Sequence, residues 1–581
     1  MRTEGPSTNA VAAFVRVWFA AFVLFGTVGI LWALGSPLMS VPDEPSHTIY
    51  AAAVVRGELR GTEIVRRADE GGGMNAVVSL VELPRPYAAV GELTCHAFRP
   101  SITADCAPEL PTSTQPVTSE TSAGRYPPVY YALVGWPTLL PIEPITSIYA
   151  MRVVNALLSA ALLAVGVLGA YLLGPSAWLA AGVALATTPM VMFLAGSVNP
   201  NSLEIAAAFA LWWMGLALID PARIVRGGVV AGTGASAAVL SVSRPLSLLF
   251  PVLILPTILA LAATPTRLRS LARDQRVWVA GGIVAAVLAA TAAWILATGA
   301  LESFSGVPAT GLTAGERARF SYRLRGIRYE QMIGILGWLD TPLPRSARIL
   351  WSWGLLVLGV LALLLGTWRQ RIVLVLLAAF TVALPVLAEM RAADEIGFAW
   401  QGRYSLPYAV GVPICCAWVV ARSGRLGGAV AVIGASLLTL WAAGSHVVTY
   451  AGALRRYMVG YPAPLFSFLE TAAWEPALPV VPGLVAMALV AMAFPGLVVA
   501  LTRSGRRTEG AGTPAGTPAG TRQAQVSGQL PPASLALGPR HKPDGPLRAD
   551  EATNEQHEAD DHDGSNLRGF TERTEGRQNE E

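Results

Sequence analysis

Apolar runs of about 20 residues recur along this chain, each long enough to cross a hydrocarbon core about 30 Å thick. They lie near residues 11–34, 153–173, 177–197, 203–219, 227–243, 246–263, 278–298, 346–366, 372–388, 404–421, 427–445 and 479–501. The expected fold class is an all-α polytopic membrane protein with about 12 transmembrane helices. Charged residues are 14% of the 581, well below the roughly 25% of a soluble domain. That excludes a soluble enzyme, a disordered scaffold and a small disulfide-stapled secreted domain. The net charge is +4, and Lys542 is the single lysine. The arginines cluster between apolar runs, which is a topology signal rather than a nucleic-acid footprint. No nucleic-acid partner is expected.

No A-x-A-like cleavage site follows the first run, so it reads as a retained span. Short connections rich in arginine belong on the cytoplasmic side. They are Arg223/Arg226, Arg267/Arg269/Arg273/Arg276, Arg369/Arg371, Arg422/Arg425 and Arg503/Arg506/Arg507. An even number of runs separates each cluster from the next, so both termini are placed in the cytoplasm. Residues 1–10 then form a cytoplasmic N-terminus and 11–501 the transmembrane domain. Residues 35–150 become a large first extracytoplasmic loop with juxtamembrane helices. The proline-broken stretch 125–140 is placed on the outer surface, as a juxtamembrane or re-entrant element. The loop 302–345 resists the charge rule, carrying Arg317, Arg319, Arg323, Arg325, Arg328 and Arg345. Residues 502–581 are low in complexity and then acidic, which predicts a disordered cytoplasmic tail.

Four cysteines are present. Cys95 and Cys106 share the first loop and are expected to pair in an oxidising compartment. Cys415 and Cys416 fall inside an apolar run and read as core residues. No Cys/His spacing points to zinc.

Five polar clusters stand at the ends of spans, and the parity count puts all of them on the outer face. The first is Pro42-Asp43-Glu44-Pro45-Ser46-His47. Asp43 can serve as the N-cap of a helix over 44–58, with Glu44 favouring its positive end. An acid at a helix start beside lipid headgroups can equally act as a general base or hold a metal. The second is Arg125-Tyr126-Pro127-Pro128-Val129-Tyr130-Tyr131, which suits an interfacial anchor. The third is Ser197-Val198-Asn199-Pro200-Asn201-Ser202-Leu203-Glu204. Capping by Asn201 accounts for much of it, but an acid such as Glu204 at the edge of a span needs a partner or a task. The fourth is Ser243-Arg244-Pro245 and the fifth Gln401-Gly402-Arg403-Tyr404. Arg244 and Arg403 either snorkel to the interface or hold a lipid phosphate.

PDEPSH, YPPVYY, SVNPNS and QGRY together resemble the DUF2142 family of bacterial membrane proteins, over roughly residues 11–445. They also look like the broader GT-C glycosyltransferases. That resemblance implies a GT-C-like bundle in the bacterial cytoplasmic membrane, with the active site on the extracytoplasmic face. It implies transfer of a sugar from a polyprenyl-phosphate donor to an envelope glycan or lipid acceptor. Under it, Asp43 is the catalytic base, Glu44 a metal ligand or supporting acid, and His47 orients them. Asp43 and Glu44 would hold a divalent cation, Mg or Mn. Arg125, Tyr126, Asn201, Arg244, Gln401 and Arg403 would bind substrate, Arg244 and Arg403 through its phosphate. Many such enzymes carry a second acid near the second outer loop, where this chain has Asn199 and Asn201. A non-catalytic subunit of polysaccharide assembly and a transporter or flippase are the rival readings. Polar clusters at span ends, a large outer insertion and no internal repeat favour the enzyme.

Overall fold

The computed structural model describes residues 8–66, 76–221, 227–301 and 310–503. The expected tail lies, from residue 504 on, outside the described residues, as do Arg223 and Arg226. The first long helix is α1 (Thr8–Gly35), and α2 (Glu44–Val54) follows a tight turn. The first loop then adds β1 (Thr62–Arg66), β2 (Ala76–Pro84), the short α3 (Arg85–Ala88), β3 (Pro116–Thr121) and α4 (Val129–Gly135). Next come α5 (Pro144–Leu172), α6 (Ala177–Ala186), α7 (Pro189–Ala195), α8 (Pro200–Ile219) and α9 (Gly227–Ser243). They lead to α10 (Leu249–Ala262), α11 (Pro265–Ala272), α12 (Gln275–Thr298), α13 (Ala314–Arg323) and α14 (Arg325–Ile333). The last group is α15 (Arg345–Leu365), α16 (Trp368–Ile396), α17 (Gly402–Ala409), α18 (Gly411–Ser423), α19 (Gly428–Met458), α20 (Val480–Ala491) and α21 (Phe494–Arg503).

Among the described residues, ten helical stretches are long and apolar enough to cross a membrane. The count is eleven if α6 and α7 form one bent span. This is a multi-pass helical membrane protein, with fewer full-length spans than the twelve expected. Two local causes explain the difference. The run at 177–197 bends by 61° between α6 and α7. There Thr188 accepts a hydrogen bond from the Val191 amide and Pro189 starts α7, a cap signal in the middle of an apolar run. The run at 227–243 is a 17-residue helix, which rises only about 26 Å. It stops because Arg244 is extended (φ −153°) ahead of Pro245.

The expectation of an all-α fold needs one correction. The first loop holds a three-stranded antiparallel sheet in the order β1-β2-β3, with Ile64 opposite Val78 and Val81 opposite Ser119. The β2 sequence AVVSLVELP is rich in β-branched residues, and Val81 and Leu83 alternate inward. They pack with Ile49, Ala52 and Ala53 of α2. Thr121 adds a hydrogen bond from its hydroxyl to the Ser46 carbonyl at 2.7 Å. The sheet thereby holds α2, and with it the first polar motif, against the bundle. The stretch 125–140 stays at the bundle surface as α4 and a 3₁₀ turn, with Val129, Leu133 and Trp136 exposed. Its other face buries Tyr130, Tyr131 and Val134.

Helices α1, α5 and α8 form the centre of the bundle. Gly169 lets α5 meet α8 closely, since a β-carbon there would lie 2.8 Å from the Trp213 carbonyl carbon. Ends of α8 and α10 away from the first loop collect arginines. Arg422 pairs with Asp220 at 3.2 Å, and Arg369 donates to the carbonyls of Leu259, Ala260 and Ala263.

Cys95 and Cys106 are joined by a disulfide, their Cα atoms 6.0 Å apart. Arg456 of α19 clamps this loop by donating to the carbonyls of Ile102, His96 and Arg99 and to Asp340. Closing a loop of this size is worth roughly 3 kcal/mol in the chain-entropy account. Cys415 and Cys416 are buried free thiols. Alkylation of denatured, non-reduced protein should therefore modify two cysteines, and prior reduction should raise that to four. Four modified thiols without reductant would disprove the pairing.

Candidate functional site

The turn after α1 is built around Arg152 of α5. Its guanidinium donates to the carbonyls of Ala33, Ser36 and Pro37, at and just beyond the buried C-terminal end of α1. It also grips Glu44 through two parallel contacts of 2.7 Å, Nε to Oε1 and Nη2 to Oε2. Both side chains are fully buried. Glu44 further accepts the backbone N–H groups of Val198 at 3.0 Å and Val41 at 3.4 Å. Its two oxygens are thus saturated. Glu44 is therefore no metal ligand or free acid, and the expected pair of Asp43 and Glu44 does not share a cation site. A two-carboxylate divalent-cation site does not fit these residues.

Asp43 faces the other way. It occupies the cap position of α2 but sits in the left-handed region (φ 69°) and makes no side-chain cap. The expected capping role is absent, and the expected helix over 44–58 ends at Val54. The Asp43 carboxylate instead accepts from Nη2 of Arg403 at 2.5 Å. Nη1 of Arg403 holds the Pro42 carbonyl at 3.1 Å, and Asn199 donates to that same carbonyl. In this ion pair the Asp43 side chain is 48% exposed and the Arg403 side chain 3%. The carboxylate is the open end of a buried cation.

A second pair stands beside the first. Glu204, at the start of α8, lies 3.6 Å from Nη1 of Arg244. Asn201 and the Ser247 hydroxyl both donate to Glu204. Arg244 stands 4.8 Å from the ring centre of Tyr404 and 6.0 Å from that of Tyr126. Arg403 lies over the same Tyr404 ring at 5.2 Å. One tyrosine thus carries a guanidinium from each ion pair. His47 closes the group, its Nδ1 3.0 Å from the Tyr131 hydroxyl and its ring 6.1 Å from Tyr126.

Several buried polar atoms here have no hydrogen-bond partner among the described residues. They are Nε of Arg244, its Nη1 (held only by the 3.6 Å ion pair with Glu204), Nε of Arg403, Nη2 of Arg125 and Oε1 of Gln401. Buried donors left unmatched are costly, and they mark where a polar ligand would bind. Arg125 is set apart from the Asp43 group. Its Nη1 donates to the Gly299 carbonyl at the end of α12, and its own carbonyl accepts from Trp294 and Thr298. Gln401 precedes α17, whose first turn lies against α14. A β-carbon at Gly402 would stand 2.3 Å from the Arg328 carbonyl, so glycine permits that approach.

Asp43, His47, Tyr126, Arg244 and Arg403 therefore converge, and Asn201 acts through Glu204. Residue-by-residue reading missed Arg152 and underused Glu204, Tyr131 and Tyr404. A lone arginine one residue before an apolar run was the available signal for Arg152. Cys95, His96 and Cys106 are the one set of three metal-type side chains in contact among the described residues, but the two sulfurs are bonded to each other.

Desolvation by the surrounding protein works against charge on Asp43, although its side chain is half open. Arg403, His47 and Arg244 outweigh it and hold the carboxyl below its usual range. Burial is also the main influence on His47, with Arg244 and Arg403 acting the same way and Asp43 opposing; its pKa falls to about 3. The imidazole is neutral at physiological pH. Unfolded histidine binds its proton near pH 6.5. Stability contributed by neutral His47 is thus present above pH 6.5 and is lost as pH falls from there toward 3. At pH 5 the loss is about 2 kcal/mol. His96, lowered to about 4 chiefly by burial, adds a loss of the same sign. Melting of wild type and His47→Gln in detergent near pH 7.5 and pH 5 isolates the His47 share. The variant should lose about 2 kcal/mol less, and equal acid sensitivity would refute the assignment.

The family model described as "Predicted membrane protein (DUF2142)" matches residues 25–412, from within α1 to the start of α18. The chain belongs to the DUF2142 family. No curated protein and no solved structure matches it. The DUF2142 match includes every residue of the Asp43 group and both of its ion pairs.

Proposed function

We propose that this DUF2142 protein is a membrane glycosyltransferase. It would move a sugar from a polyprenyl-phosphate donor to an envelope glycan or lipid at the extracytoplasmic face of the bacterial cytoplasmic membrane. The observation that carries this reading is a half-exposed carboxylate, Asp43, paired with a buried arginine whose Nε has no hydrogen-bond partner among the described residues, beside a second such arginine. In the reaction an acceptor hydroxyl oxygen bonds to the anomeric carbon as the bond to the donor phosphate oxygen breaks. Asp43 takes the hydroxyl proton. The departing lipid phosphate carries the negative charge, which Arg244 and Arg403 are placed to receive. His47, neutral and held by Tyr131, orients the group without adding charge. No step is assigned to a metal.

One feature favours a second reading. The arginines that surround Asp43 weaken it as a base, which suits a non-catalytic subunit that only holds a phosphate-linked glycan. Purified protein in nanodiscs, given radiolabelled polyprenyl-phosphate sugars and envelope acceptor, separates the two. Label moving to the acceptor supports the transferase. Donor binding without transfer supports the subunit.

A further inference from the structure

Behind the candidate site is a cavity of about 230 Å³. It lies among α14, α15, α16 and the α17–α18 pair, with the end of α6 alongside. Its walls are almost wholly apolar, with Leu185, Trp351, Leu355, Val382, Leu406 and Val412 prominent. Helix α17 divides it from the Asp43 group. With 3.6 residues per turn, Ser405, Leu406 and Ala409 stand on one side of α17 and Arg403 on another. The two spaces are therefore distinct.

The cavity opens sideways. Helix α15 packs on α18 and α16 packs on α13, with little contact between α15 and α16. Ala378, on the α16 wall, is exposed, while Trp351 on the α15 wall is buried. Because α15 and α16 are membrane-length helices, that opening faces hydrocarbon. At the polar rim stand Arg325 and Arg328. Arg328 is already engaged by Glu389, the Ser321 carbonyl and hydroxyl, and the Trp400 carbonyl. Arg325 is exposed, makes no ion pair among the described residues, and lies 4.3 Å from the ring centre of Tyr322. Arg319 and Arg323 on α13 are likewise exposed and form no ion pair among the described residues. They alternate with the exposed Phe320 and Tyr322. Cations interleaved with apolar side chains beside a hydrocarbon-facing slot match an anionic lipid.

We infer that this cavity holds a hydrocarbon chain of a lipid whose anionic phosphate headgroup rests on Arg325. Arg319 and Arg323 contribute field rather than a fixed contact. A chain in the slot packs against Leu406 and so supports α17, the helix that presents Arg403. Two lipids offer this chemistry, a bilayer phospholipid and a polyprenyl phosphate. The inference stands on binding alone and does not depend on the transferase reading.

Native mass spectrometry of the delipidated full chain in detergent tests it. The probes are phosphatidylglycerol, phosphatidylcholine with the same chains, and polyprenyl phosphate. At least one of the two anionic lipids should bind more tightly than phosphatidylcholine. Arg325→Gln should weaken that binding about tenfold, the size of one lost charge-assisted contact. Ala378→Trp, which blocks the opening, should weaken it as much. Both positions are exposed, so melting temperatures should match the wild type. Displacement of phosphatidylglycerol by polyprenyl phosphate would identify the carrier lipid as the occupant. Binding of phosphatidylglycerol alone would identify a resident phospholipid. Equal binding of all three lipids, or no change in either variant, would overturn the site.

Discussion

Asp43→Asn should abolish glycan transfer while leaving the protein folded. A positioned general base contributes about 10²–10⁴-fold, so transfer by the variant should fall by that factor. Stability should barely change. Asp43 makes no side-chain cap, so no cap is lost. Its left-handed backbone is one that asparagine tolerates as well as aspartate does. The amide oxygen can still accept from Arg403. The measurement is transfer of radiolabelled sugar in nanodiscs, with the melting temperature as the folding control. Wild-type transfer by Asp43→Asn would remove Asp43 as the base. Glu44 would not replace it, because both of its oxygens are bound to Arg152 in a closed interior.

The second large effect is on assembly. Arg152→Leu should destabilise the protein by about 3–5 kcal/mol, the cost of leaving a buried charge without its partner. The variant strands Glu44, which is fully buried, and also uncovers the carbonyls of Ala33, Ser36 and Pro37. The turn that carries Asp43 should loosen, so transfer should fall with stability. Glu44→Leu in the same chain removes the stranded charge and should restore part of the loss. Melting in detergent, with expression level as a second readout, checks this. An Arg152→Leu protein as stable as the wild type would show that the Glu44–Arg152 contact is not what holds the turn. The contrast with Asp43 is sharp: neighbouring acids, one removable for function alone, the other for structure.

Some arginines of the loop 302–345 have partners that only the fold supplies. Six cations in a loop expected outside run against the positive-inside rule, which counts Lys and Arg rather than net charge. Arg317 pairs with Asp394 and Arg328 with Glu389, both acids belonging to the same end of α16. Glu330 of that loop pairs with Arg348, just beyond it in α15, at 2.5 Å. Those acids are remote from the arginines in sequence or hidden within an apolar stretch, so the pairing is visible only in three dimensions. Of the exposed remainder, the lipid inference uses Arg319, Arg323 and Arg325.

Local chemistry was enough for much of this protein. Hydrophobic length dictates the long helices, because a backbone in lipid must satisfy its own hydrogen bonds. Arg244, Arg403 and Asp43 stood out because ions at span edges are expensive without partners. Partner choice was decided elsewhere. Nothing in Asp43-Glu44 tells which acid is buried against Arg152 and which looks into the open site. That depends on α5 passing behind the turn and on α17 arriving beside it, contacts separated by more than a hundred and more than three hundred residues. The break at Thr188, the stop at Arg244 and the sheet that holds α2 likewise required packing to become definite. Period and hydropathy are properties of one segment, whereas an ion pair is a property of two, and only the tertiary structure brings the two together.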